Sequence, residues 1–275
     1  MNDVKIAVAM SVYKNDRLSN IEKAISSVLL QTYTNFTFFI EIDGTVSNEV
    51  TEYFENLVTL DDRVVTNFNK ENRGLAFRLN SIIDMVVELD CYKYLVRMDA
   101  DDICLVNRFE KQIDFMLSNI NVSVSGTDVI EIDCNDNHVF YKKMYSDHDI
   151  IKNNVIKRCP FNHPTVIMDT SIFRDGKIRY KSHLNNTQDY YLWVDLLSAD
   201  KQFANLNEAL LLFRVDSNFH ERRGFSKAAN DFKSRLYAFK KLDLYSFSNI
   251  MHAIFLFFLR LSPVRLKEWA YKTLR

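Results

Sequence analysis

The sequence predicts an α/β fold, a mostly parallel sheet with helices on both faces and a helical extension at the C-terminus. Three observations predict it. Apolar runs of strand length alternate with helical stripes from Ile6 to Met98, the pattern of consecutive βα units. The 275 residues are 47% hydrophobic, ample material for one large domain with or without an appended piece. Glycine and proline number only five and three, and Gly44, Gly74, Gly126, Gly224, Pro160 and Pro164 stand beside polar residues rather than in generic loops.

Ile6 to Met10 is the first strand. Ser19 and Glu22 form a capping-box pattern, and Ile21, Ile25, Val28 and Leu29 give a helical stripe. Phe36 to Ile42, rich in aromatic and β-branched residues, is the second strand. Val50 to Val58 reads as helix, and Val64-Val65 marks the third strand. Leu75, Leu79, Ile82, Ile83 and Val86 line one helix face, and Tyr94 to Met98 is the fourth strand. Phe109, Ile113, Met116 and Leu117 recur at helical spacing after it. The second half is less regular. Val122 to Gly126, Val129 to Ile132, Thr165 to Met168 and Leu210 to Val215 read as strands, Tyr190 to Leu197 as helix, and the chain is helical from Ser226 onward.

Composition narrows the function. The net charge of −1 gives no electrostatic case for nucleic acid. Cys91, Cys104, Cys134 and Cys159 lack paired metal-ligand spacing, so reduced thiols in a cytoplasmic protein are expected. The N-terminus shows no secretory signal pattern, and no apolar run reaches the roughly 18 residues needed to span a bilayer.

The most informative stretch is Arg97-Met98-Asp99-Ala100-Asp101-Asp102. Three carboxylates in four residues at a strand end repel one another unless something neutralises them. A divalent cation with oxygen ligands, Mg²⁺ or Mn²⁺, does so, and such an ion commonly holds nucleotide phosphates. A solvated loop or a helix N-terminus would also accommodate acids. Ser11-Val12-Tyr13, Asp43-Gly44 and Asn72-Arg73-Gly74 lie at or just after other strand ends. In a parallel sheet these converge on one cleft.

Asp43-Gly44-Thr45, Asn72-Arg73-Gly74-Leu75-Ala76, Asp99-Ala100-Asp101-Asp102, Asn162-His163-Pro164-Thr165, Gln188-Asp189-Tyr190-Tyr191-Leu192-Trp193 and Arg222-Arg223-Gly224 occur in that order. Together, over roughly residues 4 to 225, they resemble an inverting family 2 glycosyltransferase with a GT-A, Rossmann-like fold. The branch resembled builds bacterial capsule, O-antigen and exopolysaccharide, the amylovoran type included. The resemblance implies a hexosyltransferase-type enzyme with a nucleotide-sugar donor, UDP-linked, and a lipid-linked glycan acceptor.

It also implies residue roles. Asp101 is assigned to the metal and Asp99 to the metal or the ribose, with Mn²⁺ or Mg²⁺ as cofactor. Asp102 reads either as part of that cluster or as a cap of the following helix. Ser11 and Tyr13 match the first-strand loop at the nucleotide base, where plain packing is the alternative for Tyr13. Asp43 matches the acid that contacts the base, although Ile42 stands where the family commonly has a second acid; a turn-forming role is the alternative. Arg73 and Arg97 read as neighbours of the donor phosphate or ribose, or as surface salt bridges. Asp189 matches the catalytic base, with Gln188 in place of the usual acid. His163 touches acceptor or diphosphate, or is a core residue. Arg222 and Arg223 read as a loop closing on the diphosphate, or as a solvated basic turn.

The expected organisation is a transferase domain over residues 1–225, with a nucleotide-sugar half (1–105) and an acceptor half (106–225), then a helical segment over 226–275. In that segment an apolar run from Ile250 to Leu259 precedes Arg260, Arg265, Lys267, Lys272 and Arg275, with Glu268 the only acid after the run. This suits a helix pair lying on an anionic membrane, on the inner face of the bacterial cell membrane. Ordinary packing on the catalytic domain is the alternative. Two rival functions stand beside this one. A nucleotidyltransferase would carry a glycine-rich loop after the first strand, where this chain has Ser11-Val12-Tyr13-Lys14-Asn15-Asp16. A non-catalytic sugar-nucleotide-binding protein is kept open by Gln188.

Overall fold

The computed structural model describes residues 4–184, 186–215 and 225–263. Strands β1 (Ile6–Tyr13), β2 (Phe36–Asp43), β3 (Val64–Asn69) and β4 (Tyr94–Arg97) alternate with helices α1 (Leu18–Leu29), α2 (Asn48–Leu60) and α3 (Leu75–Leu89). They form the parallel half of the sheet, in the order β3-β2-β1-β4. Each crossover is long enough for a helix, as parallel pairing requires.

The second half is mixed. It comprises β5 (Ile103–Cys104), α4 (Arg108–Ser118), β6 (Val122–Ile132), β7 (His138–Lys142), α5 (His148–Asn154), β8 (Ile167–Asp169), α6 (Gln188–Ser198) and β9 (Gln202–Arg214). The sheet continues from β4 through β8, β6 and β9 to β5, with β7 on β6. β8 runs antiparallel to both β4 and β6, and β6 parallel to β9. β5 pairs antiparallel with β9, which folds the acidic stretch after β4 back against the end of β9.

Strand alternation divides the core between the two faces. Ile6, Val8, Met10 and Val12 of β1 pack with α1, α2 and α4. Ala7 and Ala9 face α3 and α6. On that second face Trp193 meets Phe161 edge-on, with ring centroids 5.0 Å apart. Helix α7 (Phe225–Leu242) adds Ala238 and Phe239 to the same cluster, and α8 (Phe247–Leu261) adds Ala253.

Several local expectations are corrected. The Ser19–Glu22 box is not formed: α1 starts two residues earlier, at Leu18, with Arg17 as a cap that makes no side-chain bond. The two strands expected over 122–132 are one, because Thr127 and Asp128 between them are buried and bonded. The strand expected from Thr165 begins at Ile167, after a 3₁₀ turn over His163–Thr165.

Candidate active site

β1, β2 and β4 end at the same edge of the parallel half, with Tyr13 level with Asp43. A cleft of about 410 Å³ opens there, walled by Ser11, Tyr13, Asp16, Asp43, Asp99 and Asp101 among others. A neighbouring space of about 430 Å³ continues past Tyr13 and Asp43 toward Lys14 and Lys70. A third cleft, about 450 Å³, holds Arg73, Gln188 and Asp189. It shares Gly74 and Leu75 with the first, so the acidic cluster and Asp189 face adjoining spaces.

The wall between them is held by a buried carboxylate. Asp43 is 2% exposed. It accepts from the backbone N–H groups of Arg73 and Gly74, both at 2.8 Å, and pairs with Arg78 Nε at 2.6 Å. Arg78 also donates to Asn69 Oδ1 at 2.7 Å. Asn72 Nδ2 donates to the Asp43 carbonyl at 3.0 Å. Gly44 has φ +86°, and a Cβ there would stand 3.0 Å from the Asn72 nitrogen, so no side chain fits this turn without strain. Asp43 therefore organises the Asn72-Arg73-Gly74 turn while lining the cleft.

The acidic cluster is built from several elements. Arg97 is buried. It pairs with Asp99 and donates to the Met98 and Ala9 carbonyls, with its Nε left without a partner. It is thus an internal anchor for Asp99 rather than a surface salt bridge. Asp102 is also buried, and it accepts the Arg214 N–H at 2.8 Å. It caps no helix, since β5 follows it and α4 starts only at Arg108. Arg214 Nε donates to the Asp101 carbonyl at 2.9 Å, and its Nη2 pairs with Asp136 at 2.6 Å. The end of β9 thereby pins the acidic turn.

Burial, then the charge of Asp99, pushes the Asp101 carboxyl up to about 6. Burial, then Asp101 and Asp99, holds Asp102 well above the usual carboxylate range. Asp16 accepts the Tyr13 N–H at 2.9 Å, yet burial and the charges of Asp101 and Asp99 push it up to about 7. Around Asp101 the charges of Arg214 and Arg97 oppose this rise without cancelling it, and a divalent cation would relieve the remainder. Among the described residues no group of three His, Cys, Asp or Glu side chains is placed to hold a metal ion. An all-oxygen cleft of this kind fits a cation that takes its remaining ligands from phosphates and water, as Mg²⁺ commonly does.

Asp189 lies at the start of α6, where acids suit the helix dipole. Burial raises its carboxyl above the usual range, opposed by backbone N–H bonds and by Arg235. The Asp99 charge is felt there too. Gln188 lines the same cleft, and its Nε2 donates to the Leu184 carbonyl at 2.6 Å. Arg73 lies over the Phe77 ring at 3.5 Å and lines the Asp189 cleft. His163 lines none of these spaces. Its Nε2 meets the Tyr180 hydroxyl at 2.8 Å, and burial, then the Arg97 charge, keeps the ring neutral. Arg222 and Arg223 lie outside the described residues. Asp16, Arg78 and Arg214 were not anticipated from the sequence. Only Asp16, ending the polar run after β1, carried a signal.

The family model described as "Glycosyl transferase family 2" matches residues 7–176. The chain is 30% identical to an amylovoran biosynthesis glycosyltransferase, AmsE, of Erwinia amylovora over 97% of both chains. It is 28% identical to a UDP-Gal:alpha-D-GlcNAc-diphosphoundecaprenol beta-1,3-galactosyltransferase of Escherichia coli, over 98% of this chain and 95% of that one. Among solved structures, S. aureus TarS 1-349 in complex with UDP superposes with a TM-score of 0.62 at 14% identity, covering 87% of this chain and 70% of that one. The mannosyltransferase PcManGT of Pyrobaculum calidifontis, in complex with GDP-Man and Mn²⁺, gives 0.61 at 12% identity, over 91% and 73%. At these identities the two structures establish the shared fold, the GT-A arrangement of a curled mixed sheet with flanking helices.

Proposed function

The chain belongs to glycosyl transferase family 2 and is a glycosyltransferase; from that premise we propose that it is metal-dependent and inverting, moving a sugar from a UDP-linked donor to a hydroxyl of a lipid-linked glycan. The pathway would be bacterial surface-polysaccharide synthesis, at the inner face of the cell membrane. The observation that carries this reading is the pair of adjoining clefts, one holding Asp99 and Asp101, the other Asp189, with Gly74 and Leu75 between them.

The chemistry follows from that arrangement. The donor's nucleoside lies between Tyr13 and the Asp43 turn, in the spaces leading toward Lys14 and Lys70. Asp101, with Asp99 held by Arg97, would hold the divalent cation. When bound, that cation supplies positive charge to the diphosphate as it departs. Asp189 accepts the proton of the acceptor hydroxyl as it attacks the anomeric carbon. Its raised carboxyl suits it as a base. A single displacement inverts the anomeric centre and needs no covalent intermediate, so one base suffices. Gln188 bonds a carbonyl on its own loop, so its replacement of the usual acid leaves the base untouched.

The UDP donor and the lipid-linked acceptor draw support from the name of the E. coli relative. Metal dependence draws on the acidic cleft and on the Mn²⁺ of the mannosyltransferase neighbour. Among the described residues no helix is long and apolar enough to cross a membrane. Incubation with a panel of nucleotide sugars and Mn²⁺ or Mg²⁺ tests the reading. A UDP-sugar should be consumed, and chelation should stop it. Turnover that survives chelation, or a preference for a donor other than a UDP-sugar, would overturn the corresponding part.

A further inference from the structure

The C-terminal helix α8 is seated on α7 by one face only. Asn249 and Ala253 are buried, the Phe257 ring lies 5.4 Å from that of Phe232, and Arg260 pairs with Asp231 of α7 at 3.1 Å. The other face is apolar and open. Phe247, Ile250, Met251, Ile254, Phe255, Phe258 and Leu261 follow one another at helical spacing and all are exposed, Phe247 by 81% and Phe258 by 64%. A contiguous exposed apolar stripe of this kind marks a contact surface.

The charge around it identifies the occupant. α8 contains no Asp or Glu. Lys240 and Lys241, both exposed, end α7 beside the start of α8, with Asp243 the one acid in the turn between the two helices. Beyond α8 the sequence carries Arg265, Lys267, Lys272 and Arg275 against Glu268 alone. In a chain of net charge −1 this is a local cationic excess. A second copy docked on the stripe would bring like charges together, which disfavours pairing. An anionic surface is complementary. The helix has 15 residues, about 22 Å at 1.5 Å per residue, too short to cross a hydrocarbon core of about 30 Å. It has the form of a helix lying in the interface plane.

We propose that the outer face of α8 is the surface by which this enzyme lies on an anionic lipid bilayer. The inference deepens the membrane-surface part of the reading above and rests on it, not on the donor or the base. The test uses the full chain and vesicles of phosphatidylcholine with and without phosphatidylglycerol. The protein should co-sediment with the anionic vesicles, less so as salt is added, because exposed charges are screened. Phe247→Ser with Phe258→Ser should lower vesicle partitioning about tenfold or more, while lipid-free turnover of the donor stays at the wild-type level. Failure of the wild type to bind, or equal binding by the variant, overturns the proposal. So does a lipid-free dimer that the variant splits. Because donor turnover is measured separately, vesicle failure with intact turnover removes this surface alone. Wild-type binding to vesicles without turnover of the donor removes the proposed donor chemistry alone.

Discussion

Replacing Arg78 with methionine removes the cation from a buried pair and leaves the Asp43 carboxylate in place. Asp43 keeps its two backbone donors, from Arg73 and Gly74, but loses its only charge partner among the described residues. Asn69 Oδ1 and the Glu71 carbonyl lose donors as well. Breaking one side of a buried ion pair typically costs about 3–5 kcal/mol, because the remaining charge is uncompensated. That is a large part of a domain's stability. The loss should appear as a lower midpoint in urea denaturation. It should also weaken donor binding in calorimetry, since the Asn72–Gly74 turn is the wall shared by the two clefts. Adding Asp43→Asn to Arg78→Met should recover part of the stability, because the orphaned charge is gone although the amide nitrogen then faces one of the two backbone donors. A loss under about 1 kcal/mol for Arg78→Met, or no recovery in the double variant, would refute the role given to this pair.

Asp16→Asn should raise the melting temperature at pH 8. Asp16 is raised from 3.8 to about 7 on folding, so its destabilising effect is full above pH 7 and fades as pH falls toward 4. A melting difference between variant and wild type that is unchanged across that window would contradict this. Gly126→Ala should destabilise by about 1–3 kcal/mol through overpacking, because a Cβ would stand 2.5 Å from Asn205 Oδ1 and 2.8 Å from Phe161; differential scanning calorimetry reads it. Gln188→Ala should cost about 1 kcal/mol or less, for one hydrogen bond, and leave kcat near wild type. A large drop in kcat would place Gln188 in the chemistry.

The parallel half of the fold was legible because β1, β2 and β4 each contain a mainly apolar run, β3 opens on Val64-Val65, and the helices between them carry apolar stripes. The mixed half was not, for reasons visible in its residues. β5 is two residues long and β7 is largely exposed, so neither has a pattern to read. β6 looked interrupted because Thr127 and Asp128 are polar. Their partners, Thr165, Tyr141 and Met144, come from elsewhere in the chain. The same distinction holds at the site. Asp99, Asp101 and Asp189 stand in short local motifs. Arg214 acts on Asp102 across 112 positions and Arg78 on Asp43 across 35, and local reading does not reach such pairs. Asp43 was visible as a strand-end acid, but its burial beneath the turn it holds belongs to the tertiary structure.

The account turns on Asp189 as the base, and the Asp189→Asn enzyme tests it most directly. The amide preserves shape and removes the ability to accept the acceptor's proton. With the UDP-sugar identified by the screen, kcat for transfer should fall by about 10²–10⁴-fold. The donor Kd, measured by calorimetry with Mn²⁺, should barely move, because Asp189 lines the cleft adjoining that of Asp99 and Asp101, the residues proposed to hold metal and donor. Near-normal transfer by Asp189→Asn would contradict the account.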